Sequence, residues 1–243
     1  MSNPDWFAAL DGTWPAARYR EMGSWMLREG QGGGSRVSAT TLIGDPADAD
    51  ISVAEDAMRA MGQPLLFQLQ PGQDSFDNLL QARGYEVMDP VTIYACEVDH
   101  LCDVPIPRVT VLHIWEPLVI MREIWAEGGI GPARIEVMKR AKGPKTSMLG
   151  RLNEKPGGVA FAAIHERVAM VHAVEVVPHQ RRGGMGQWFM RSAAFWAREH
   201  GASHLSVMCT KANTGANALY TSLGMQVVGH YHYRIKKTEP APS

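Results

Sequence analysis

The residues best placed to do chemistry lie in one run, Val176-Val177-Pro178-His179-Gln180-Arg181-Arg182-Gly183-Gly184-Met185-Gly186. An apolar strand ends at Pro178, a short basic turn full of glycine follows, and a helix begins at once. At such a junction the first helical N–H groups lack intrahelical partners and carry the positive end of the helix dipole. Glycines let a ligand approach the backbone without Cβ interference. The run therefore predicts an anion site suited to a phosphate or pyrophosphate, with Arg181 and Arg182 adding formal charge. The plainer alternative is a strand-to-helix turn with solvated arginines. Two common phosphate loops do not fit. A P-loop needs Gly-Lys-Ser/Thr where Gly186 is followed by Gln187-Trp188. A dinucleotide fingerprint needs a third glycine, and an acid where Cys209-Thr210 ends the next strand.

The elements that must position this run are legible around it. Arg108 to Trp115 reads as a strand, and Leu118 to Glu127 and Ala133 to Lys142 as helices. Strands at Ser147 to Leu152, Gly158 to His165 and Val168 to Val177 follow, the first two separated by a turn at Glu154-Lys155-Pro156-Gly157. Met185 to His200 is a helix ended by Gly201, and His204 to Cys209 a strand. A helix from Gly215 to Ser222 and strands at Met225 to Gly229 and His232 to Ile235 complete this half.

The first half reads as a shorter version of the same order. Trp25 to Glu29 and Arg36 to Ile43 are strands, Ile51 to Met61 a helix, Leu65 to Leu69 a strand and Ser75 to Arg83 a helix. A strand pair then runs through Val98. LLQARGYEV (Leu79 to Val87) resembles LYTSLGMQV (Leu219 to Val227), which suggests a degenerate internal duplication. Pro105-Ile106-Pro107 is the linker candidate, dividing the chain into 1–105, 106–238 and a frayed tail at 239–243. Gly44-Asp45-Pro46-Ala47-Asp48-Ala49-Asp50 stands in the first half where the glycine loop would be, and its aspartates repel a pyrophosphate.

Composition bounds the class. The 243 residues are 45% hydrophobic and 20% charged, with 24 Lys plus Arg against 25 Asp plus Glu and a net charge of -1. No basic excess marks a nucleic-acid partner. No secretory signal and no apolar run of membrane-spanning length is present, so a soluble, cytoplasmic chain without a membrane partner is expected. Cys96, Cys102 and Cys209 form neither a zinc ribbon nor a disulfide framework. His230-x-His232 lacks a third ligand, so the two read as surface or substrate-rim histidines and no metal is expected. Trp188, Phe189, Phe195 and Trp196 recur near helical spacing and read as core.

Arg181-x-x-Gly184-x-Gly186, preceded by Val176-x-Pro178, resembles the R-x-x-G-x-G/A acyl-CoA motif of the GCN5-related N-acetyltransferase (GNAT) family. Downstream, Asn213-x-x-Ala216-x-x-Leu219-Tyr220-x-x-Leu223-Gly224-Met225 resembles that family's N-x-x-A-x-x-L-Y-x-x-x-G-F run, with Met225 where Phe is usual. The resemblance spans roughly Val109 to Ile235. It implies the GNAT acyl-CoA acyltransferase fold, an α/β (α+β) fold with a central mixed, mostly antiparallel sheet flanked by helices, here in tandem with a silent first copy.

The resemblance also implies roles. Backbone N–H groups of Arg182, Gly183, Gly184, Met185 and Gly186 would bind the CoA pyrophosphate, with Arg181 in the motif and Gln187 beside it. A backbone amide around Val176 would polarise the thioester carbonyl. Asn213 would bind the pantetheine arm or fix the loop, and serves equally as a helix N-cap. Tyr220 would protonate the departing thiolate, or else be a core aromatic. The base is Glu175 or His172, with Glu175 preferred. A structural salt bridge is the alternative for Glu175, and a satisfied core histidine for His172. Regular alternation puts the two on opposite faces, and a bulge between them would undo that.

The function expected is direct transfer of an acetyl group from acetyl-CoA, as co-substrate, to the primary amine of a small metabolite or amino-acid-like acceptor. Protein N-terminal or lysine acetylation, and a non-catalytic acyl-CoA-sensing module, are the alternatives. The family often dimerises, so a homodimer is allowed for, with no interface marked in the sequence.

Overall fold

A computed structural model describes residues 4–237 of the chain. In order, the elements are α1 (Trp6–Thr13), β1 (Arg18–Met22), β2 (Trp25–Glu29), β3 (Thr41–Leu42), α2 (Ile51–Ala60), β4 (Leu65–Leu69), α3 (Asp74–Ala82) and β5 (Glu86–Glu97). Then come β6 (Val111–Ile114), α4 (Val119–Glu127), α5 (Pro132–Arg140), β7 (Lys145–Leu152), β8 (Lys155–His165) and β9 (Val168–Val176). The last are α6 (Met185–Glu199), β10 (His204–Thr210), α7 (Thr214–Ser222) and β11 (Gln226–Lys236). One order occurs twice: three antiparallel strands, a helix, a strand lying parallel to the third, a nine-residue helix and a long final strand.

These residues form two compact units, neither continuous in sequence. One holds 4–15, 93–209 and 213–228; the other holds 16–92, 210–212 and 229–237. The division at 105 expected from the sequence follows the repeat, whereas the units exchange pieces across it. Helix α1 and residues 93–107, which include the Pro105-Ile106-Pro107 segment, fold with the later repeat, and 229–237 fold with the earlier one. The expected tail at 239–243 lies outside the described residues.

In the first of these units the strand order is β5–β10–β9–β8–β7–β6. Only β9 and β10 run parallel among the registered pairs; β6–β7, β7–β8 and β8–β9 are antiparallel. Helix α6 covers one face, where Met185, Phe189, Met190, Ala193 and Ala197 meet Met148, Ala160, Ala162 and Val171 in a buried core. Helices α1 and α4 lie against β8 and β9, where Trp14 and Trp115 pack edge-on or tilted against buried Phe161. The β7–β8 turn tightens from the expected four residues to Asn153 and Glu154, both at positive φ.

The second unit pairs β1–β2–β3 antiparallel, and β4 antiparallel with β11. Its core is aromatic: the rings of Trp25, Phe67 and Phe76 lie 5.3–5.6 Å apart. The expected strand from Arg36 to Ile43 is reduced to the two-residue β3, with Arg36 and Val37 in a 3-10 turn at Ser35–Val37. No helix among the described residues is long and apolar enough to cross a membrane.

Candidate functional site

The site is built where two parallel strands separate. β9 and β10 pair from Val168↔His204 to Val171↔Val207, and the register then ends although both strands continue, to Val176 and Thr210. Val177 N–H donates to Gly157 O at 3.1 Å. By alternation the Val176 N–H therefore points away from β8, toward the side that β10 has left. That places the amide expected at Val176 on the open side of the strand.

A bulge marks the parting. Val159 faces Glu175 and Phe161 faces His172, so two residues of β8 span three of β9, with Ala173 at φ 51. The buried indole of Trp125 donates to the Ala173 carbonyl at 2.7 Å and holds the irregular residue in place. The extra residue restores phase: Glu175 and His172 share a face. The expectation of opposite faces is corrected by this bulge, which nothing in the apolar run VAMVHAVEV announces.

His172 and Glu175 nevertheless sit in different surroundings. His172 is 2% exposed, with Nε2 2.9 Å from Thr13 Oγ1 and its ring 4.9 Å from that of Trp14. Thr13 gives its hydroxyl proton to Ala9 O at 2.7 Å, so His172 Nε2 is the donor in the pair. His172 is a satisfied core histidine. Glu175 is half-buried, with Oε1 3.1 Å from Arg181 Nη2. It lies close against the C-terminal end of α4, where a Cβ on Gly128 would stand 2.6 Å from its carboxyl carbon. Arg181 also donates through Nε to Val176 O at 3.1 Å, so one guanidinium ties the carboxylate to the end of the open strand.

The loop beyond is shaped for an anion. Arg182 and Gly184 take φ 65 and 83, and Gly184 is the N-cap of α6 with no side chain capping the helix. The first intrahelical bond is Trp188 N–H to Gly184 O at 3.3 Å, which leaves Met185, Gly186 and Gln187 N–H without an intrahelical acceptor. Gly186 has a packing role: a Cβ there would stand 2.6 Å from Leu219 Cδ2, so α6 and α7 approach closely only because it has none. The backbone of this loop, with the arginines beside it, fits a pyrophosphate.

The matching helix of the other unit is closed. Asp50 caps α2, its carboxylate accepting from Ser52 N at 2.9 Å and Ser52 Oγ at 2.7 Å. Those hydrogen bonds hold the Asp50 carboxyl below its ordinary range. A carboxylate already occupies the place an anion would take.

On α7, Asn213 is the N-cap, with Oδ1 accepting from Ala216 N at 3.1 Å. Tyr220 is buried, its ring 5.5 Å from Tyr94, and Tyr94 OH donates to Asn217 Oδ1 at 2.9 Å. Phe189 and Trp196 are buried and Trp188 and Phe195 partly so, as core residues should be. His232 lies 2.8 Å from Asp77 and forms no metal cluster; no group of three His, Cys, Asp or Glu among the described residues could hold an ion. No disulfide joins Cys96, Cys102 or Cys209 among the described residues. Sequence reasoning missed Thr13, Trp14, Trp125 and Tyr94. They come from α1 and the residue after it, from α4 and from β5, and no motif marks them; Thr13, Trp14 and Trp125 contact β9, and Tyr94 packs on Tyr220.

Comparisons with known proteins bear on the whole. The model of the Acetyltransferase (GNAT) family matches residues 121–225. Over 238 residues the chain is 23% identical to the uncharacterized N-acetyltransferase YobR of Bacillus subtilis (strain 168), covering 93% of this chain and 95% of that protein. A GCN5-related N-acetyltransferase from Kribbella flavida superposes with a TM-score of 0.68 at 20% identity, covering 95% of this chain and 93% of that one. A tandem GNAT protein from the clavulanic acid biosynthesis pathway superposes with a TM-score of 0.58 at 13% identity, over 84% and 76% of the two chains.

Proposed function

The chain belongs to the acetyltransferase (GNAT) family, and from that premise we propose that it transfers an acetyl group from acetyl-CoA directly to the primary amine of a small, amino-acid-like acceptor. The observation that carries the reading is the parting of β9 from β10 after Val171 and Val207, beside a helix N-terminus that no side chain caps. GNAT enzymes use acetyl-CoA as co-substrate, which supplies an activated thioester. The N–H groups from Arg182 to Gly186, with Gln187 beside them, bind its pyrophosphate, and Arg181 orders the loop against the open strand.

Val176 N–H donates to the carbonyl oxygen of the thioester and polarises it for attack by the neutral amine. Glu175 takes the proton that the amine gives up on forming its new C–N bond, through water where the distance requires it. Tyr220 gives its hydroxyl proton to the sulfur as the C–S bond breaks. Asn213 works by fixing the start of α7, the helix on which Tyr220 stands. Positioning and carbonyl polarisation supply most of the acceleration. Thiol release from acetyl-CoA, measured across free amino acids, other small amines and lysine-containing peptides, tests this. Release with small amines is expected; release only with peptides overturns the acceptor class, and acetyl-CoA binding without release for any amine leaves a sensing module.

A further inference from the structure

The buried indole of Trp125 and the bare Cα of Gly128 stand three residues apart at the C-terminal end of α4, and both meet β9 where it parts from β10. Positions i and i+3 share a helix face, so one turn presents the two contacts side by side. Trp125 gives its Nε1–H to the Ala173 carbonyl at 2.7 Å. Gly128 lies against the Glu175 carboxyl, and its backbone is ordinary: it takes φ -80, while Gly129 at φ 78 is the residue that ends the helix. What the missing Cβ of Gly128 provides is room, since one would stand 2.6 Å from both the carboxyl carbon and Oε2 of Glu175. Oε1 is held by Arg181 at 3.1 Å, so each carboxylate oxygen has a neighbour that limits where it can go.

Ala173, at φ 51, occupies the left-handed region that an alanine enters only at a cost. A donor fixed on its carbonyl offsets that cost. Beyond it, Val159 opposes Glu175 and Gly158 opposes Val176, because β9 carries one residue more than β8 over this stretch. Were the pairing regular from Phe161↔His172 onward, Val159 would oppose Val174 and Gly158 would oppose Glu175. Val176 would then move to the place that Val177 now holds, where the N–H is spent on Gly157 O. Glu175 would turn to the face opposite His172. One left-handed alanine therefore decides whether β9 has an amide to offer a thioester oxygen, and on which face its carboxylate stands.

We propose that Trp125 is a positioning residue for the acetyl transfer: acting through Ala173, it keeps the Val176 amide open to the thioester oxygen and the Glu175 carboxylate on the face from which it takes the amine's proton. Gly128 completes the arrangement by leaving room for that carboxylate. The chemistry of this inference rests on the acetyl-transfer reading; the control of the bulge by Trp125 rests on geometry alone.

The test uses the full chain. Trp125→Phe keeps a ring in the core and removes the donor; Ala173→Gly lets the bulge residue take a positive φ without help. Trp125→Phe should lower kcat about 100-fold, while acetyl-CoA binds as in wild type because the loop from Arg182 to Gly186 is untouched. Adding Ala173→Gly should restore at least about tenfold of that loss, a rescue that general damage to the core would not allow. Met121→Ala, a truncation of a buried residue on the same helix, should lower the melting temperature and keep kcat. The bulge is also read without any assay of turnover, from the backbone couplings of Ala173 by NMR: its φ should leave the positive range in Trp125→Phe. A positive φ retained in that variant overturns the proposal. So does a kcat equal to wild type, a loss that Ala173→Gly leaves in full, or an equal loss in Met121→Ala. Wild type that releases no thiol with any amine fails the acetyl-transfer reading instead, and the Ala173 couplings still decide whether Trp125 holds the bulge.

Discussion

Gly186→Ala tests whether the glycine in the first turn of α6 serves to bring α6 and α7 together. A Cβ at this position would stand 2.6 Å from Leu219 Cδ2. Carbon atoms rest at about 3.5–4.0 Å, so the contact must open by roughly 1 Å. Overpacking of this kind costs about 1–3 kcal/mol, and the low end applies because Leu219 can swing. Alanine also favours the helix over glycine by up to about 1 kcal/mol, so the single variant combines two opposing effects. A double-mutant cycle with Leu219→Ala cancels that propensity gain, which is the same in both backgrounds. The coupling expected from thermal or urea unfolding is about 1 kcal/mol, a few degrees in melting temperature for a chain of this size. Turnover should fall in Gly186→Ala, because α7 carries Tyr220, and recover in the double variant. Additivity within about 0.5 kcal/mol would refute the packing role.

Three further outcomes follow from the same contacts. Thr13→Val leaves the buried His172 Nε2–H without its acceptor and should cost about 1–3 kcal/mol of stability; a melting temperature within a degree of wild type would count against the pair. Tyr220→Phe should lower turnover about 100-fold while acetyl-CoA binds unchanged, and full activity in that variant would remove Tyr220 as the acid. The Asp77 carboxyl is held down at about 2, chiefly by the Arg234 hydrogen bonds and then by His232. A depressed folded value gives stability that is present above the unfolded value near 3.8 and is lost as pH falls toward 2. That contribution is about 2 kcal/mol, and Asp77→Asn should flatten the stability profile between pH 4 and 2 without changing its shape at neutral pH.

Much of the site was legible because its signals are local. Glycine spacing fixes the loop, and β-branched and helical periodicities fix the elements around it: β2 and β4 have the bounds expected, and α6 differs by one residue at its end. The tandem order was visible in nine residues of each copy, and the structure extends it to whole repeats. What escaped notice depends on partners distant in sequence. Helix α1, eight residues long and capped by Asp5, carries no amphipathic stripe to announce it, yet it supplies Thr13 to His172. The bulge at Ala173 exists because Trp125 offers its N–H to a carbonyl 48 positions away, which no reading of β9 alone could supply. The long β5 and β11 were each read as two strands, and each is continuous in the structure. Their length is what lets each serve both compact units.

The most direct test of the central claim is thermal unfolding with and without acetyl-CoA, for wild type and Gly184→Glu. Ligand bound only to the folded state at a hundredfold excess over Kd stabilises it by about 2.7 kcal/mol. Gly184 sits at φ 83 at the uncapped start of α6, and a carboxylate there sets negative charge and a strained residue in the proposed pyrophosphate cradle. A rise of several degrees in wild type that vanishes in the variant is the result predicted. No rise in wild type, or an equal rise in both, would contradict the assignment of this loop as the acyl-CoA site.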